Sequence, residues 1–470
     1  MAKEQNKQTS HSRRVAPERI RKIVKSSDSV IHFIGVGGIS MSALARLTLE
    51  YGCTVTGSDR GSFAMLGELI SLGASIRIGH DPSYVEGATL VVYSHAIGED
   101  EAEILRAQEL QIPTVNRAEY LGALMLDYSH RIGVSGTHGK STTTAMLERI
   151  FTAAGTDPTV LSGAGLSSGA SQMRLGGQST LIYEACEYRD SFLRFSPTIA
   201  IALNLELDHT DYFKNLAELK ESFRRALSHA SAFAVVNSDD SNLSRIINGI
   251  KTRVVTFGQR ATADYRYHIT AFKSVGYEFD ITKYGNVIGT FELNIPGTYN
   301  VTNAVAAIVT ALEFGIDIGT VQGAISAFSG IPRRLEHIGE HHLRPVYYDY
   351  AHHPTAIACA INTVKMMTHG EVTVIFKPHT YSRTQSLWED FKLALSLADR
   401  VIITDIYPAR EAAIEGITSE RLAQEIGDHA VYAPDDEVVR ELHFNTAGSI
   451  IIMGAGDMED IKDAVLKHVI

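Results

Sequence analysis

Cysteine is scarce in this 470-residue chain: Cys53, Cys186 and Cys359 are the only three. Their odd number, wide spacing and lack of a CxxC pair exclude a disulfide framework and a structural zinc site, and point to a reducing compartment. Proline is also thin, at 12 residues, while the 38 glycines show no fixed period, so collagen-like and low-complexity classes are excluded. No apolar run approaches the ~20 residues that span a bilayer. Runs such as Thr198–Leu205 suit buried strands instead. Positive charge is in deficit, with 43 Lys and Arg against 54 Asp and Glu, a net charge of −11. A chain this acidic is a poor general binder of nucleic acid. It must hold anionic ligands with local devices: helix N-termini and single Lys or Arg side chains.

The 44% hydrophobic and 21% charged composition is that of a folded enzyme, and the length suggests three domains. The N-terminus is basic (Lys3, Lys7, Arg13, Arg14) without an apolar segment behind it, so it does not read as a secretory signal. Residues 1–27 read as a mobile tail leading into a short helix, ahead of a cytoplasmic protein. Strand-like runs then alternate with helical patterns, the signature of α/β architecture with largely parallel sheets. A Rossmann-like unit is expected over 28–128, with strands near Ser29–Ile34, Cys53–Thr56, Ser75–Ile78 and Thr89–Tyr93. A central P-loop-ATPase-like unit with a mixed sheet is expected over 129–331. Its stretch from about Arg253 to Ile295 changes to an antiparallel pattern. A second Rossmann-like unit is expected over 332–470.

Four groups of residues carry chemistry. The strongest is Gly136-Thr137-His138-Gly139-Lys140-Ser141, between a strand and the helix that opens at Thr142. Amides of a tight glycine loop can face phosphate oxygens, Lys140 can neutralise terminal phosphates, and a Ser141 hydroxyl can ligate Mg²⁺. The spacing departs from the strict P-loop, since Val134 stands where its first glycine belongs. The second group is Gly35-x-Gly37-Gly38-x-Ser40, with Asp59 after the next strand. It matches a dinucleotide fingerprint but does not say which nucleotide. The third is a set of acids and a histidine at two strand ends: Glu184 and Glu187, then Asn204, Glu206, Asp208, His209 and Asp211. Such acids can converge on a hard cation. The fourth spans the last unit: Arg333-Arg334, Asp349-Tyr350-Ala351-His352-His353-Pro354, and Lys377-Pro378-His379-Thr380-Tyr381-Ser382-Arg383. Arg and His clustered at strand ends suit recognition of carboxylate or phosphate. Cys186, Cys359 and Trp388 read as packing residues.

With these motifs in order, the chain resembles the Mur ligases of peptidoglycan synthesis from about Val30 to its C-terminus. FIGVGGISMSALA resembles the uridine-diphosphate loop of that family, and GTHGKSTTT its ATP loop. EACEYRDSF with NLELDHTDYF resembles its Mg²⁺ segment. GTYNVTNAVAA, RRLEHIG, DYAHHPT, FKPHTYSRT, DIYPARE and GAGDM follow in the family's order.

The resemblance implies a three-domain ligase that joins L-alanine to UDP-N-acetylmuramate at the expense of ATP. It implies that Gly37, Gly38, Ser40, Ser42, Ser58 and Asp59 bind the uridine-diphosphate substrate. It implies that Gly136 to Thr142 hold ATP, with Asn300, Arg334 and Asp349 at the adenine, phosphate and ribose. Mg²⁺ would sit on Ser141, Glu184 and His209, and Lys140, Glu184 and His209 would make the catalytic set. Tyr350, His379 and Arg383 would lie near the amino acid. No nucleic-acid partner and no membrane insertion are expected. A related ligase that attaches a recycled peptide shares both loops. Outside the class, an NAD-dependent dehydrogenase would use the Gly35 loop and Asp59 but leave GTHGKS unexplained. A non-catalytic nucleotide sensor is disfavoured by Lys140, Glu184 and His209.

Overall fold

Five short apolar runs, each followed by a helix or turn, build the first sheet: β1 (Val30–Ile34), β2 (Thr54–Asp59), β3 (Ser75–Ile78), β4 (Leu90–Tyr93) and β5 (Thr114–Asn116). The order is β3-β2-β1-β4-β5 and all pairs are parallel. That is the doubly wound order, whose ligand crevice opens where the strand order reverses, at the C-terminal end of β1. The computed structural model describes residues 15–467 except 62, 63, 95, 99, 167–170, 210, 211, 274, 410 and 443–447. Most of the expected N-terminal tail and Asp211 therefore lie outside the described residues. The short helix expected behind the tail is Pro17–Val24. It is fastened to the domain by Arg21 and Lys25, both paired with Asp127.

A buried polar knot underlies the β1 crevice. Glu103 accepts from His32 Nε2 at 2.7 Å, His80 Nδ1 at 2.7 Å and Ser58 Oγ at 3.0 Å. Burial alone would raise the Glu103 carboxyl, but these donors outweigh it and hold it below the usual value. Gly57 lets β2 approach β1 and the loop after it. A Cβ there would lie 2.9 Å from the Phe33 carbonyl oxygen and 3.1 Å from Val36 Cβ.

The central sheet has ten strands: β6 (His130–Ser135), β7 (Thr159–Leu161), β8 (Met173–Arg174), β9 (Thr180–Glu184), β10 (Ile199–Ala202), β11 (Phe233–Asn237), β12 (Arg253–Gly258), β13 (Tyr265–Lys273), β14 (Gly276–Lys283) and β15 (Asn286–Leu293). Their order is β15-β14-β13-β12-β11-β10-β6-β9-β7-β8. The antiparallel change begins later than expected. β12 is still parallel to β11, and the meander is β13-β14-β15.

Strand alternation divides the core between the two faces of this sheet. Leu181 and Tyr183 of β9 join one cluster with Phe33, Leu121 and Met125 of the first domain, while Ile182 joins the opposite cluster under the helix Thr298–Phe314. The first two domains thus share one continuous apolar core.

The third sheet comprises β16 (Glu336–His341), β17 (Arg344–Asp349), β18 (Val372–Phe376), β19 (Arg400–Ile403), β20 (Ala430–Tyr432) and β21 (Ser449–Met453). It is ordered β16-β17-β21-β18-β19-β20 and parallel except at the β16 edge. It carries its own apolar layer on each face. The mixed α/β fold, built on three sheets, is that expected from the sequence.

Gly57→Ala is expected to destabilise the protein by about 1–3 kcal/mol, because the methyl group meets backbone that cannot yield without moving β1. A urea titration of the variant beside the parent checks this; an unchanged midpoint would contradict the close approach.

Candidate active site

The glycine loop between β6 and the helix Lys140–Ala153 takes its shape from two positive φ angles, +143° at Gly136 and +86° at Gly139. A Cβ on Gly139 would lie 2.3 Å from Asn303 Oδ1, and one on Gly136 3.1 Å from Leu203 Cβ. Both positions therefore require glycine. The loop is pinned from the strand end after β10. Asn204 Oδ1 accepts the His138 N–H at 2.8 Å, and Asn204 Nδ2 donates to the His138 carbonyl at 3.0 Å. The helix itself has no side-chain cap, so its first amides and its positive dipole end face the crevice. This arrangement fits a phosphate chain.

Lys140 opens that helix. Its ammonium donates to the Gly136 carbonyl and lies 3.3 Å from Glu187, whose side chain is only 2% exposed. Burial by itself would lower the lysine pKa, but Glu187, Cys186 and Glu184 outweigh it, so the ammonium titrates above its usual value. The charge is permanent and is paired inside the protein.

The acids expected to hold Mg²⁺ divide between two tasks. Glu184 Oε1 accepts from the Gly163 N–H and from Ser162 Oγ at 3.0 Å. Glu187 stands between Lys140 and His209, whose Nε2 is 3.7 Å away. The Ser141 hydroxyl is buried and accepts from Arg334 at 3.3 Å. Hydroxyl and carboxylate oxygens of this kind fit a hard cation.

Arg334 reaches Ser141 from the third domain, and its guanidinium lies 5.1 Å from the Tyr350 ring centroid. Arg383 makes a second crossing. It bonds Asp208 at 3.0 Å and His379 Nδ1 at 3.2 Å. Burial would raise the Asp208 carboxyl, but Arg383 and His209 outweigh it and hold it far below the usual carboxylate range. His352 donates from Nδ1 to the Tyr350 carbonyl at 2.9 Å, and its ring packs 6.1 Å from that of His379. Burial, with Arg383 beside it, pushes His352 down to about 3 and His379 down to about 4. Burial and the neighbouring His138 take His353 down to about 4. Tyr350, His379 and Arg383 are thus brought together, as expected.

Several sequence-predicted residues have different surroundings from those expected. Asn300 is buried, with its amide donating to the Pro296 carbonyl and its oxygen accepting from Asn303. It stands behind the glycine loop, and Asn303, which sequence reasoning missed, is the residue that touches it. The signal was the i, i+3 spacing of two asparagines on a buried helix face. Asp349 is buried, with both oxygens engaged by the Leu335 and Ala351 amides at 2.7 Å.

In the first domain, Gly38 and Ser40 lie exposed at the uncapped start of the helix Ile39–Glu50, again a fit for an anion. Gly37 gives its N–H to Asp59 at 2.8 Å, so this acid, the last residue of β2, braces the loop. Ser42 is buried and bonds the Ile39 carbonyl at 2.9 Å. The expectation for Ser58 is corrected: it is fully buried with its hydroxyl on Glu103, beneath the loop rather than facing a ligand.

Three α/β domains around a lysine-bearing glycine loop, with arginines reaching in from the third, define a nucleotide-using enzyme. Comparison with known proteins places that class more narrowly: the chain belongs to the Mur ligase family. Residues 30–129 match the Mur ligase family catalytic domain, 134–311 the Mur ligase middle domain, and 333–456 the Mur ligase glutamate ligase domain. The chain is 41% identical over 447 residues to the UDP-N-acetylmuramate–L-alanine ligase of Caldicellulosiruptor bescii, covering 93% of this chain and 98% of that one. It is 40% identical to the enzyme of the same name from Caldanaerobacter subterraneus subsp. tengcongensis, over 93% of this chain and 97% of that one. Its fold is similar to the crystal structure of UDP-N-acetylmuramate-alanine ligase from Thermotoga maritima, with a TM-score of 0.78 and 27% identity over 93% of this chain and 98% of that one. A murein peptide ligase from Psychrobacter arcticus superposes less well, with a TM-score of 0.71 and 25% identity over 94% of this chain and 98% of that one.

The three depressed histidines set a pH dependence. In the folded chain they stay neutral, while in the unfolded chain an ordinary histidine takes up a proton below about pH 6.5. The unfolded state then binds more protons, so stability present above pH 6.5 is lost as pH falls toward 4. Each histidine is expected to cost on the order of 2 kcal/mol between pH 7 and pH 5. Denaturant midpoints at the two pH values check this. His352→Asn, which keeps a donor for the Tyr350 carbonyl, should narrow the difference.

Proposed function

We propose that this chain is an ATP-dependent ligase that joins L-alanine to the lactyl carboxylate of UDP-N-acetylmuramate, releasing ADP and phosphate, in the synthesis of peptidoglycan precursors. The observation that carries this reading is 41% identity, over 93% of the chain, to an L-alanine ligase of that substrate. The recycled-peptide alternative has weaker support, from a structural likeness at 25% identity. Family membership speaks against the dehydrogenase and sensor readings.

A carboxylate is a poor acyl donor because oxide would have to leave. Transfer of the ATP γ-phosphoryl group to the lactyl carboxylate gives an acyl phosphate. The neutral amine of alanine attacks it, and phosphate departs from a tetrahedral intermediate. The first step brings a polyanion against a carboxylate, so fixed positive charge at the transferring group dominates catalysis. In this reading Lys140 and the amides of the 136–142 loop supply that charge from one side. Arg334 supplies it from the third domain. Magnesium fits Ser141 and Glu184, with Glu187 and His209 alongside, and when bound it would neutralise phosphate oxygens.

Asp349 and Asn300 act as supports of the ATP site through the groups they hold. Gly38 and Ser40, at the open helix start, face the diphosphate of the sugar nucleotide, with Gly37 and Asp59 shaping the loop. Arg383 clamps the alanine carboxylate beside Tyr350 and His379. The parts divide as 28–128 for the sugar nucleotide, 129–331 for ATP and 332–470 for the amino acid. The reaction draws on ATP, which assigns it to the cytoplasm. Among the described residues no helix is long and apolar enough to cross a membrane.

Lys140→Ala is expected to lower kcat by about 10²–10³-fold, the typical loss of one electrostatic donor to a transition state. Phosphate release from a folded variant checks this, and parental rates would refute the loop assignment.

A substrate panel tests the reaction itself. L-Alanine should be used best and glycine modestly less well, since one methyl group is worth about 1–3 kcal/mol. The recycled tripeptide should fail. Arg383→Lys should raise the KM for alanine far more than that for ATP, because an ammonium does not reproduce the guanidinium fork. Preference for the tripeptide would overturn the proposed reaction.

A further inference from the structure

His138, Glu206 and His353 converge from three separate segments. His138 lies in the glycine loop after β6, Glu206 in the loop after β10, and His353 caps the helix Pro354–Thr368 of the third domain. One ligand atom of each lies within 4.8 Å of the other two. Glu206 Oε2 is the centre, 3.2 Å from His138 Nε2 and 3.8 Å from His353 Nδ1. Tetrahedral zinc with bonds of about 2.0–2.1 Å spaces its donors about 3.3–3.4 Å apart, so the His138–Glu206 pair already has that spacing and the His353 imidazole must move inward to close on an ion.

The hydrogen bonding at the junction leaves acceptors for a cation. Thr355 N–H donates to His353 Nδ1 at 3.4 Å, a long bond on the one lone pair that an ion would take in its place. Glu206 Oε2 is also an acceptor, taking the Thr355 hydroxyl at 2.9 Å. The two acceptors lie 3.8 Å apart. The set is also preorganised. The Thr355 hydroxyl orients the carboxylate, Asn204 holds the His138 backbone on both sides, and His353 is buried. Such outer contacts orient ligands in metal sites. Two imidazoles and one carboxylate favour a borderline transition ion over magnesium, which prefers a set dominated by oxygen donors.

We propose that His138, Glu206 and His353 bind a divalent transition metal of the zinc class, which ties the nucleotide loop to the third domain. The residues are different from those that fit magnesium, and the inference does not depend on the ligase reading. Because the ligands come from two domains, the ion binds their closed arrangement and favours it over the open one.

The test uses the full-length protein, stripped of metal and dialysed, with Co²⁺ as a visible probe. Titration is expected to give the visible absorption of low-coordinate cobalt, lost on adding Zn²⁺ and retained in excess Mg²⁺. His353→Asn, which keeps a helix-capping acceptor, and Glu206→Gln should each weaken Co²⁺ binding at least tenfold. The double variant Glu184→Ala/His209→Ala, altered in the magnesium set, should bind Co²⁺ as the parent does. Zn²⁺ should raise the melting temperature of the parent and not that of His353→Asn. If His353→Asn does not fold, His138→Gln takes its place. The proposal is overturned if no visible band forms, if Mg²⁺ displaces the cobalt, or if binding survives at His353→Asn and vanishes with Glu184→Ala/His209→Ala.

Discussion

The buried ammonium of Lys140 is the constraint around which the rest of the site is arranged. Its side chain is only 16% exposed, so its charge must be answered from within. Glu187 answers it, from the segment just after β9, the strand beside β6, and the lysine opens the helix that follows β6. The lysine therefore depends on the parallel pairing of two strands, on a glycine loop between β6 and its helix, and on the absence of a cap at that helix. Remove the glycine at 139 and the loop collides with Asn303. The geometry that leaves the helix start open to an anion also brings the lysine there.

A second consequence lies in how the domains meet. The first and middle domains share an apolar core, and their approach is close enough that a Cβ on Gly122 would sit 2.4 Å from the Arg194 carbonyl oxygen. Apolar burial of this kind holds its partners in one arrangement. The third domain meets the middle one through polar groups: Arg334 with Ser141, Arg383 with Asp208, and Thr355 with Glu206. Polar interfaces exchange their partners for water or ligand at small net cost, whereas an apolar core does not. The seam that carries the arginines is therefore the one that opens at the smaller cost.

Alternation of short strands and helices made the α/β plan legible, and the strand Ser75–Ile78 has the expected bounds. β11 was not anticipated. Phe233–Asn237 is buried on both faces, and so short an apolar run carries no period to distinguish it. The glycine loops were legible because positive φ and close approach restrict a position to one residue type. The division of labour among the acids was not. Glu184 ends a strand and Glu187 lies three residues beyond it, ahead of an irregular turn with positive φ at Arg189 and Asp190, where no repeating pattern tells which acid meets the lysine. Ser58 looked like a loop hydroxyl and lies beneath the loop instead. Its partner Glu103 is 45 residues away, a distance across which local pattern is silent.

Two of the charged groups in this site share one property. Each already has an acid partner in the protein: Lys140 has Glu187 and Arg383 has Asp208. An unpaired buried charge costs several kcal/mol, so a site that must survive without ligand needs such internal partners. On the proposed reading each ligand then binds by exchange. A phosphate displaces a carboxylate from the lysine, and an amino-acid carboxylate displaces Asp208 from the arginine. Exchange reduces net affinity, because the internal pair is lost as the new one forms. It also frees the displaced acid. On that reading Asp208, released from Arg383, regains a more ordinary proton affinity.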